Sequence, residues 1–145
     1  MNKIKKILKN KKIIFGLVGL LLVCLIIGFC FLRFNDSQEY DLTSKMKEMG
    51  KDFYENFYYE QVGVDEEQRV AFLKKFETIG IKVNLDNLSR YNLQDSDAVL
   101  SQFVNKKTKQ SCDKTNTQVI IYPTSPYDKT SYNLEVNLDC GFNEE

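Results

Sequence analysis

Cysteine and carboxylate side chains are the groups in this sequence best suited to chemistry, because none of its 145 residues is histidine. Serine and cysteine nucleophiles are usually activated by a histidine base, and many zinc sites include one. The glycine-rich patterns that bind phosphate groups, GxGxxG and GxxxxGK[ST], are also absent from the sequence. We therefore expect no catalytic residue, no cofactor and no metal site.

The twenty acidic residues keep one enzymatic alternative open. Two convergent carboxylates suffice to hydrolyse a glycosidic bond, one as the acid and the other as base or nucleophile. No spacing in the sequence singles out such a pair. A carboxylate-dependent envelope hydrolase is therefore an alternative, and a protein that is not an enzyme is the preferred interpretation.

Cys112 and Cys140 are predicted to form a structural disulfide. They lie outside the long apolar segment that contains Cys24 and Cys30. Both are fourteen residues from Pro126, so a hairpin folded about Pro126 would place them opposite each other. Opposed Cβ atoms lie about 4.5–5.5 Å apart, close to what a disulfide requires. No CxxC motif points to redox catalysis.

The strands that would hold this disulfide are predicted from alternation. Residues 118–122 are β-branched and apolar, and residues 132–138 alternate between apolar and polar side chains. Residues 81–85 alternate in the same way. Such a pattern is typical of a strand with one buried and one wet face. We expect a small antiparallel sheet with a C-terminal β-hairpin.

Two or three helices are predicted to pack on this sheet, which gives an α+β fold. Residues 40–60 form the first, Asp65 caps the second and Gly80 ends it, and residues 96–104 form a short third helix. Residues 86–94 are predicted to be a turn. The residues predicted to face the core are Leu42, Met46, Met49, Phe53 and Phe57 in the first helix, and Val70, Phe72, Leu73, Phe76 and Ile79 in the second.

Three tyrosines of the first helix are candidate contacts for a partner. Tyr54, Tyr58 and Tyr59 lie partly off the apolar stripe that serves the core. Tyrosine is enriched at protein interfaces, since its ring is apolar and its hydroxyl is polar. The alternative is that a neighbouring element of the same domain covers these rings.

An uncharged run from Ile13 to Leu32 predicts a transmembrane helix. Twenty helical residues span about 30 Å, the thickness of the hydrocarbon core of a bilayer. Six lysines and no acidic residue precede the run, and the positive-inside rule then places the N-terminus in the cytoplasm. The predicted organisation is a basic cytoplasmic tail over residues 1–12, an uncleaved transmembrane helix over 13–32, a linker over 33–39 and an extracytoplasmic domain over 40–145.

Charge is distributed unevenly between the two parts of the chain. Residues 34–145 contain thirteen basic and twenty acidic residues, a net charge of about −7. Nucleic-acid binding needs a basic surface, so we expect no nucleic-acid partner. The predicted partners are membrane lipid, through the anchor, and an unknown protein or envelope component. The abundance of Lys, Asn, Ile, Phe and Tyr is typical of AT-rich genomes and favours a bacterial source.

The sequence as a whole predicts a single-pass cell-membrane protein with a non-catalytic extracytoplasmic interaction domain, such as a subunit of a cell-envelope assembly. A basic start, an apolar helix, an amphipathic helix and a late disulfide-closed β region form an outline that resembles a type IV pilin. That resemblance implies a pilin-like or fibre subunit as an alternative. Pilins carry a glycine before Phe or Met at their cleavage site and a glutamate early in the apolar stretch. The apolar run of this chain contains no glutamate, and Gly16-Leu17-Val18 does not match the cleavage pattern, so the sequence assigns no family.

Overall fold

A computed structural model describes residues 22–25, 37–91 and 95–142 of the chain. The chain divides into two compact units, Met1–Ser37 and Gln38–Glu145. Of the first unit, residues 22–25 are helical and exposed. The second unit contains the sheet, the helices that pack on it and the disulfide, and it carries the candidate site.

The predicted membrane span over residues 13–32 lies outside the described residues except at 22–25. Among the helices of the described part of the chain, none is both long and apolar enough to cross a membrane. The anchor and the cytoplasmic tail over residues 1–12 therefore stay predictions.

The second unit is built around a three-stranded antiparallel sheet. Its strands are β1 (Ile81–Asn84), β2 (Gln118–Pro123) and β3 (Tyr132–Asn137), and β2 lies between the other two. Strands β2 and β3 are joined by a loop and form the predicted C-terminal hairpin. In this hairpin Gln118 lies opposite Asn137 at one end and Pro123 lies opposite Tyr132 at the other. The prediction of a mixed α+β fold with a small antiparallel sheet is confirmed.

One face of this sheet forms the core of the domain. Val119 and Ile121 of β2 are fully buried, whereas Gln118, Ile120 and Tyr122, which alternate with them, are half-buried. Val119 pairs with Val83 on one side and with Val136 on the other, so the apolar side chains of all three strands share this face. In β3 the alternation expected from the sequence is present, with half-buried and exposed residues in turn.

A long helix, α1, packs on the buried face. Residues 37–61 are helical and include a π-helical segment, Tyr54–Tyr58. A Cβ atom on Gly50 would lie 2.7 Å from a methyl group of Val119, so glycine lets the backbone of α1 lie directly on β2. Glycine inside a helix costs about 0.5–1 kcal/mol relative to alanine, and this close contact is the physical reason for its presence. Residues 37–39, assigned to the linker from the sequence, already belong to α1.

The buried stripe of α1 differs from the predicted one. The predicted stripe takes a step of three residues from Met46 to Met49, whereas the buried residues continue in steps of four through Gly50. Phe53 and Met49, predicted to face the core, are only half-buried, and Phe57 is 44% exposed. The residues that do face the core are Gln38, Leu42, Met46, Gly50 and Tyr54.

Helix α2 (Glu66–Lys74) begins after Asp65 as predicted, but it ends at Lys74, before the predicted Gly80. The Asp65 carboxylate accepts a hydrogen bond from the backbone N–H of Gln68, as an N-cap should. After the helix, Gly80 adopts a left-handed φ of 70° and donates its N–H to the carbonyl of Phe76. Ile79, predicted to face the core, is instead 62% exposed.

Helix α3 (Leu85–Tyr91) replaces the predicted turn, and α4 (Ser96–Leu100) is shorter than expected. The side chain of Asn84, the last residue of β1, accepts a hydrogen bond from the backbone N–H of Asn87 and so starts α3 without a break after the strand. Leu85 and Leu88 are buried one turn apart. A helix of seven residues contains too few apolar positions to show a helical period, so α3 was hard to recognise in the sequence.

Cys112 and Cys140 form the predicted disulfide. The hairpin symmetry from which they were paired is wrong, because the observed register would place Cys140 opposite Thr115. A turn between Cys112 and β2 causes the shift. In this turn Asp113 accepts the backbone N–H of Thr117 at 2.9 Å and donates its own N–H to the carbonyl of Asp139 at 2.7 Å.

Candidate functional site at the aromatic end of α1

The C-terminal part of α1 is the centre of an aromatic cluster. Ring centroids of neighbouring members are between 4.9 and 6.2 Å apart, the range of favourable aromatic pairs. The cluster consists of Phe53, Tyr54, Phe57, Tyr58 and Tyr59 of α1, Tyr91 of α3 and Tyr132 of β3.

The cluster coincides with the π-helical segment Tyr54–Tyr58. The backbone N–H of Tyr59 reaches back to the carbonyl of Tyr54, a longer step than in an α-helix. Single π turns within α-helices are rare and occur frequently at functional sites. The π-helical segment therefore makes this part of α1 a candidate functional site. The exposure and contacts of its side chains determine what it could bind.

Tyr54 belongs to the core and is not available to a partner. Its side chain is fully buried, and its ring packs edge-on against Tyr132 at 4.9 Å between centroids. Its hydroxyl makes no hydrogen bond to any described residue. Burial raises the pKa of Tyr54 well above the usual range. The neighbouring hydroxyls of Tyr59 and Tyr58 raise this pKa further, by a smaller amount.

Tyr132 is fixed by a short hydrogen bond across the cluster. Its hydroxyl donates to Oε1 of Glu55 at 2.6 Å. Burial, and next the hydrogen bond to Glu55, raise the pKa of Tyr132 far above its ordinary value. This bond ties β3 to the π-helical segment of α1.

Tyr58 and Tyr59 are both half-buried, and they differ in what covers them. The guanidinium of Arg69 in α2 lies 4.7 Å from the centre of the Tyr59 ring, a cation–π contact that covers one face of it. Tyr58 stacks on Tyr54 at 6.1 Å, and burial raises its pKa. Of the three predicted contact residues, Tyr58 is the one that pairs with Phe53, at 5.9 Å between ring centroids, and Phe53 in turn contacts Phe57.

Phe57 is the most exposed ring of the cluster. Although 44% exposed, it is held in place by Phe53 at 5.5 Å and by Tyr91 at 5.4 Å between ring centroids. Tyr91 is itself positioned by a hydrogen bond from its hydroxyl to the backbone carbonyl of Asp52 at 3.3 Å. Phe53, Phe57, Tyr58 and Tyr91 together are called the aromatic surface below.

Sequence reasoning missed three members of the aromatic surface. Phe53 and Phe57 were assigned to the core. The one available signal against this was Gly50, which lies four residues beyond Met46 and continues a stripe in steps of four. Tyr91 lies in the segment predicted to be a turn. Its contact with Asp52 of α1 joins residues that are 39 positions apart in the sequence, and such a distant contact leaves no local pattern.

A concave region lies beside the disulfide. It is an open depression of about 340 Å³ whose lining includes Cys112, Lys114 and a single carboxylate, that of Asp97. No group of three or more Cys, Asp or Glu in the described ranges is arranged to hold a metal ion. No protein-family model, curated protein or solved structure matches this chain, so the site is interpreted from its own contacts.

Proposed function

We propose that this protein is a membrane-anchored, non-catalytic interaction module of the bacterial cell envelope. The observation that carries the proposal is the uncharged run over residues 13–32, preceded by six lysines. Its length suits a bilayer, and its basic flank places residues 40–145 outside the cytoplasm.

The aromatic surface is the proposed contact for a protein partner. Complete burial of a phenylalanine side chain is worth about 1.5–3 kcal/mol, and the exposed part of Phe57 leaves some of this free energy available to a partner. Phe53 and Tyr91 already hold the ring in place, so binding would immobilise little further. Aromatic anchors of this kind dominate the energetics of many interfaces.

The anchor is tested first by adding protease to intact protoplasts. We expect cleavage of the described domain while the N-terminal tail survives, because the domain lies outside the cytoplasm. Intact-mass spectrometry of the membrane fraction should find residues 1–32 retained, whereas a processed pilin-like subunit would have lost part of them. A domain that resists protease until the cells are lysed would contradict the proposed topology.

The partner contact is tested with a photo-cross-linking amino acid at position 57 in living cells. The control position is 64, because Val64 is 91% exposed but does not belong to the aromatic surface. We expect a discrete adduct from position 57 that weakens when Tyr58→Ser is added, with the thermal midpoint measured in parallel to confirm folding. Equal adducts from both positions, or an adduct unaffected by Tyr58→Ser in a folded protein, would contradict the proposed surface.

A further inference from the structure

A short loop displays three lysines that the proposed function does not use. Residues 104–111 form a turn closed by a β-bridge between Val104 and Ser111. Lys106, Lys107 and Lys109 project from it and are all exposed. We call residues 104–111 the lysine loop.

The lysine loop is held rigidly by the buried side chain of Asn105, which is 1% exposed. Its Oδ1 accepts the backbone N–H groups of Lys107 and Thr108 at 3.0 and 3.3 Å. Its Nδ2 donates to the carbonyl of Cys140 at 3.2 Å, which ties the loop to the disulfide. The three ammonium groups are therefore presented from a fixed backbone.

Gln38 ties the lysine loop to the beginning of α1. Its side chain is 5% exposed, and it donates from Nε2 to the carbonyl of Val104 at 2.7 Å. Its Oε1 accepts the backbone N–H of Lys106 at 3.0 Å. Only five residues separate Gln38 from Leu32, the end of the uncharged run. Because a chain extends at most about 3.5 Å per residue, the tether between the proposed anchor and the beginning of α1 is short.

The positive charge of the loop is not neutralised within the described ranges. The ion pairs there join Asp86 to Arg90 and to Lys114, and none involves a lysine of the loop. Glu39 and Asp41 are exposed at the beginning of α1 and form no ion pair with the loop. A basic surface thus occurs in the part of the chain, residues 34–145, whose net charge is about −7.

We propose that the lysine loop docks on the anionic phospholipid headgroups of the membrane to which the chain is anchored. This inference rests on the proposed anchor. Each lysine close to an anionic bilayer strengthens binding about fivefold, so three lysines alone would bind a free domain weakly. The covalent tether makes the contact intramolecular, and a weak contact is then sufficient to orient the domain on the surface.

The test uses the full chain in lipid nanodiscs of phosphatidylcholine, with or without phosphatidylglycerol. Lysine acetylation rates are read by mass spectrometry, with the exposed Lys74 and Lys75 of α2 as internal controls. We expect acetylation of the three loop lysines to slow by about fivefold or more in the anionic discs and to recover at high salt, because ions screen this attraction. The rates at Lys74 and Lys75 should not change.

A charge-matched pair of variants separates the loop from overall charge. Amide hydrogen exchange over residues 104–111 should be slower in anionic discs for the parent and for a Lys74→Gln, Lys75→Gln, Lys82→Gln control. Replacing Lys106, Lys107 and Lys109 by Gln should abolish that difference. If it persists in this variant, the loop lysines do not dock on the headgroups.

The outcomes also separate this inference from the proposed function. A chain that does not co-purify with nanodiscs overturns the anchor and the docking together. A chain that co-purifies, with equal acetylation of the loop in both discs, overturns the docking alone. Equal shielding by soluble polyphosphate in phosphatidylcholine discs would show that the loop binds phosphate polymers, which overturns the assignment to lipid.

Discussion

The two ends of α1 are held in the domain by different forces. Near Gln38, buried amide groups satisfy backbone donors and acceptors, and a disulfide lies next to them. Near Tyr54, sixteen residues or about 24 Å further along the helix, the contacts are mainly between aromatic rings, and one buried hydroxyl has no partner among the described residues. We call these regions the loop end and the aromatic end.

This difference teaches how one helix can serve two purposes. Hydrogen bonds restrict distance and angle, so the loop end has one low-energy arrangement and presents its lysines in fixed positions. Aromatic pairs hold rings through apolar contact, so the aromatic end keeps Phe57 in place while part of its ring stays exposed to a partner. The loop end is therefore suited to a negatively charged surface such as an anionic bilayer, and the aromatic end to an apolar contact with a protein.

The largest expected effect comes from breaking the covalent link at the loop end. Replacing Cys112 and Cys140 together by Ser should lower the free energy of unfolding by about 2–5 kcal/mol, because the open chain has more unfolded conformations. Urea unfolding of the detergent-solubilised chain measures this. Cys24→Ser is the matched control, since Cys24 is a free, exposed cysteine. A loss below about 1 kcal/mol would show that hydrogen bonds alone hold the loop end.

The loop end also shows where sequence reasoning succeeds and where it fails. The pairing of Cys112 with Cys140 was predicted correctly, although from the wrong register, because only two of the four cysteines lie outside the uncharged run. Gln38 was assigned to a linker, and Asn105 was not considered at all. Their partners lie 66 and 35 residues away, and nothing in the local sequence of a polar residue reports a partner so distant.

The aromatic end gives the complementary result. Periodicity predicted a helix over residues 40–60 and an apolar face on it, because these depend on neighbouring residues alone. It did not predict which rings face outward, since that depends on the close contact of Gly50 with Val119 and on the π-helical segment. The alternation of residues 132–138 was sufficient to predict β3, as each side chain there has one of two directions.

A smaller effect is expected from Tyr132→Phe at the aromatic end. The substitution removes the hydrogen bond to Glu55 and should cost about 1–2 kcal/mol, since the acceptor is a carboxylate. The raised pKa of Tyr132 means that the folded state favours the neutral phenol. The stability that Tyr132 provides is thus complete below its ordinary pKa of 10.0 and declines as the pH rises above it. Urea unfolding measures the difference in free energy of unfolding between the parent and Tyr132→Phe. This difference should be smaller above pH 10 than at pH 7, and an equal difference at both pH values would argue against this bond.

The smallest effect is expected from Tyr54→Phe, which makes the same chemical change a few ångströms away. The Tyr54 hydroxyl is buried without a partner among the described residues, so its removal relieves a desolvation cost and breaks no bond. We expect the stability at pH 7 to change by less than about 0.5 kcal/mol or to increase by up to about 1 kcal/mol. Urea unfolding of Tyr54→Phe and Tyr132→Phe under the same conditions compares the contributions of the two hydroxyls to the free energy of unfolding. A loss as large as that of Tyr132→Phe would show that Tyr54 has a hydrogen-bond partner after all, and the aromatic end would then be held in the same way as the loop end.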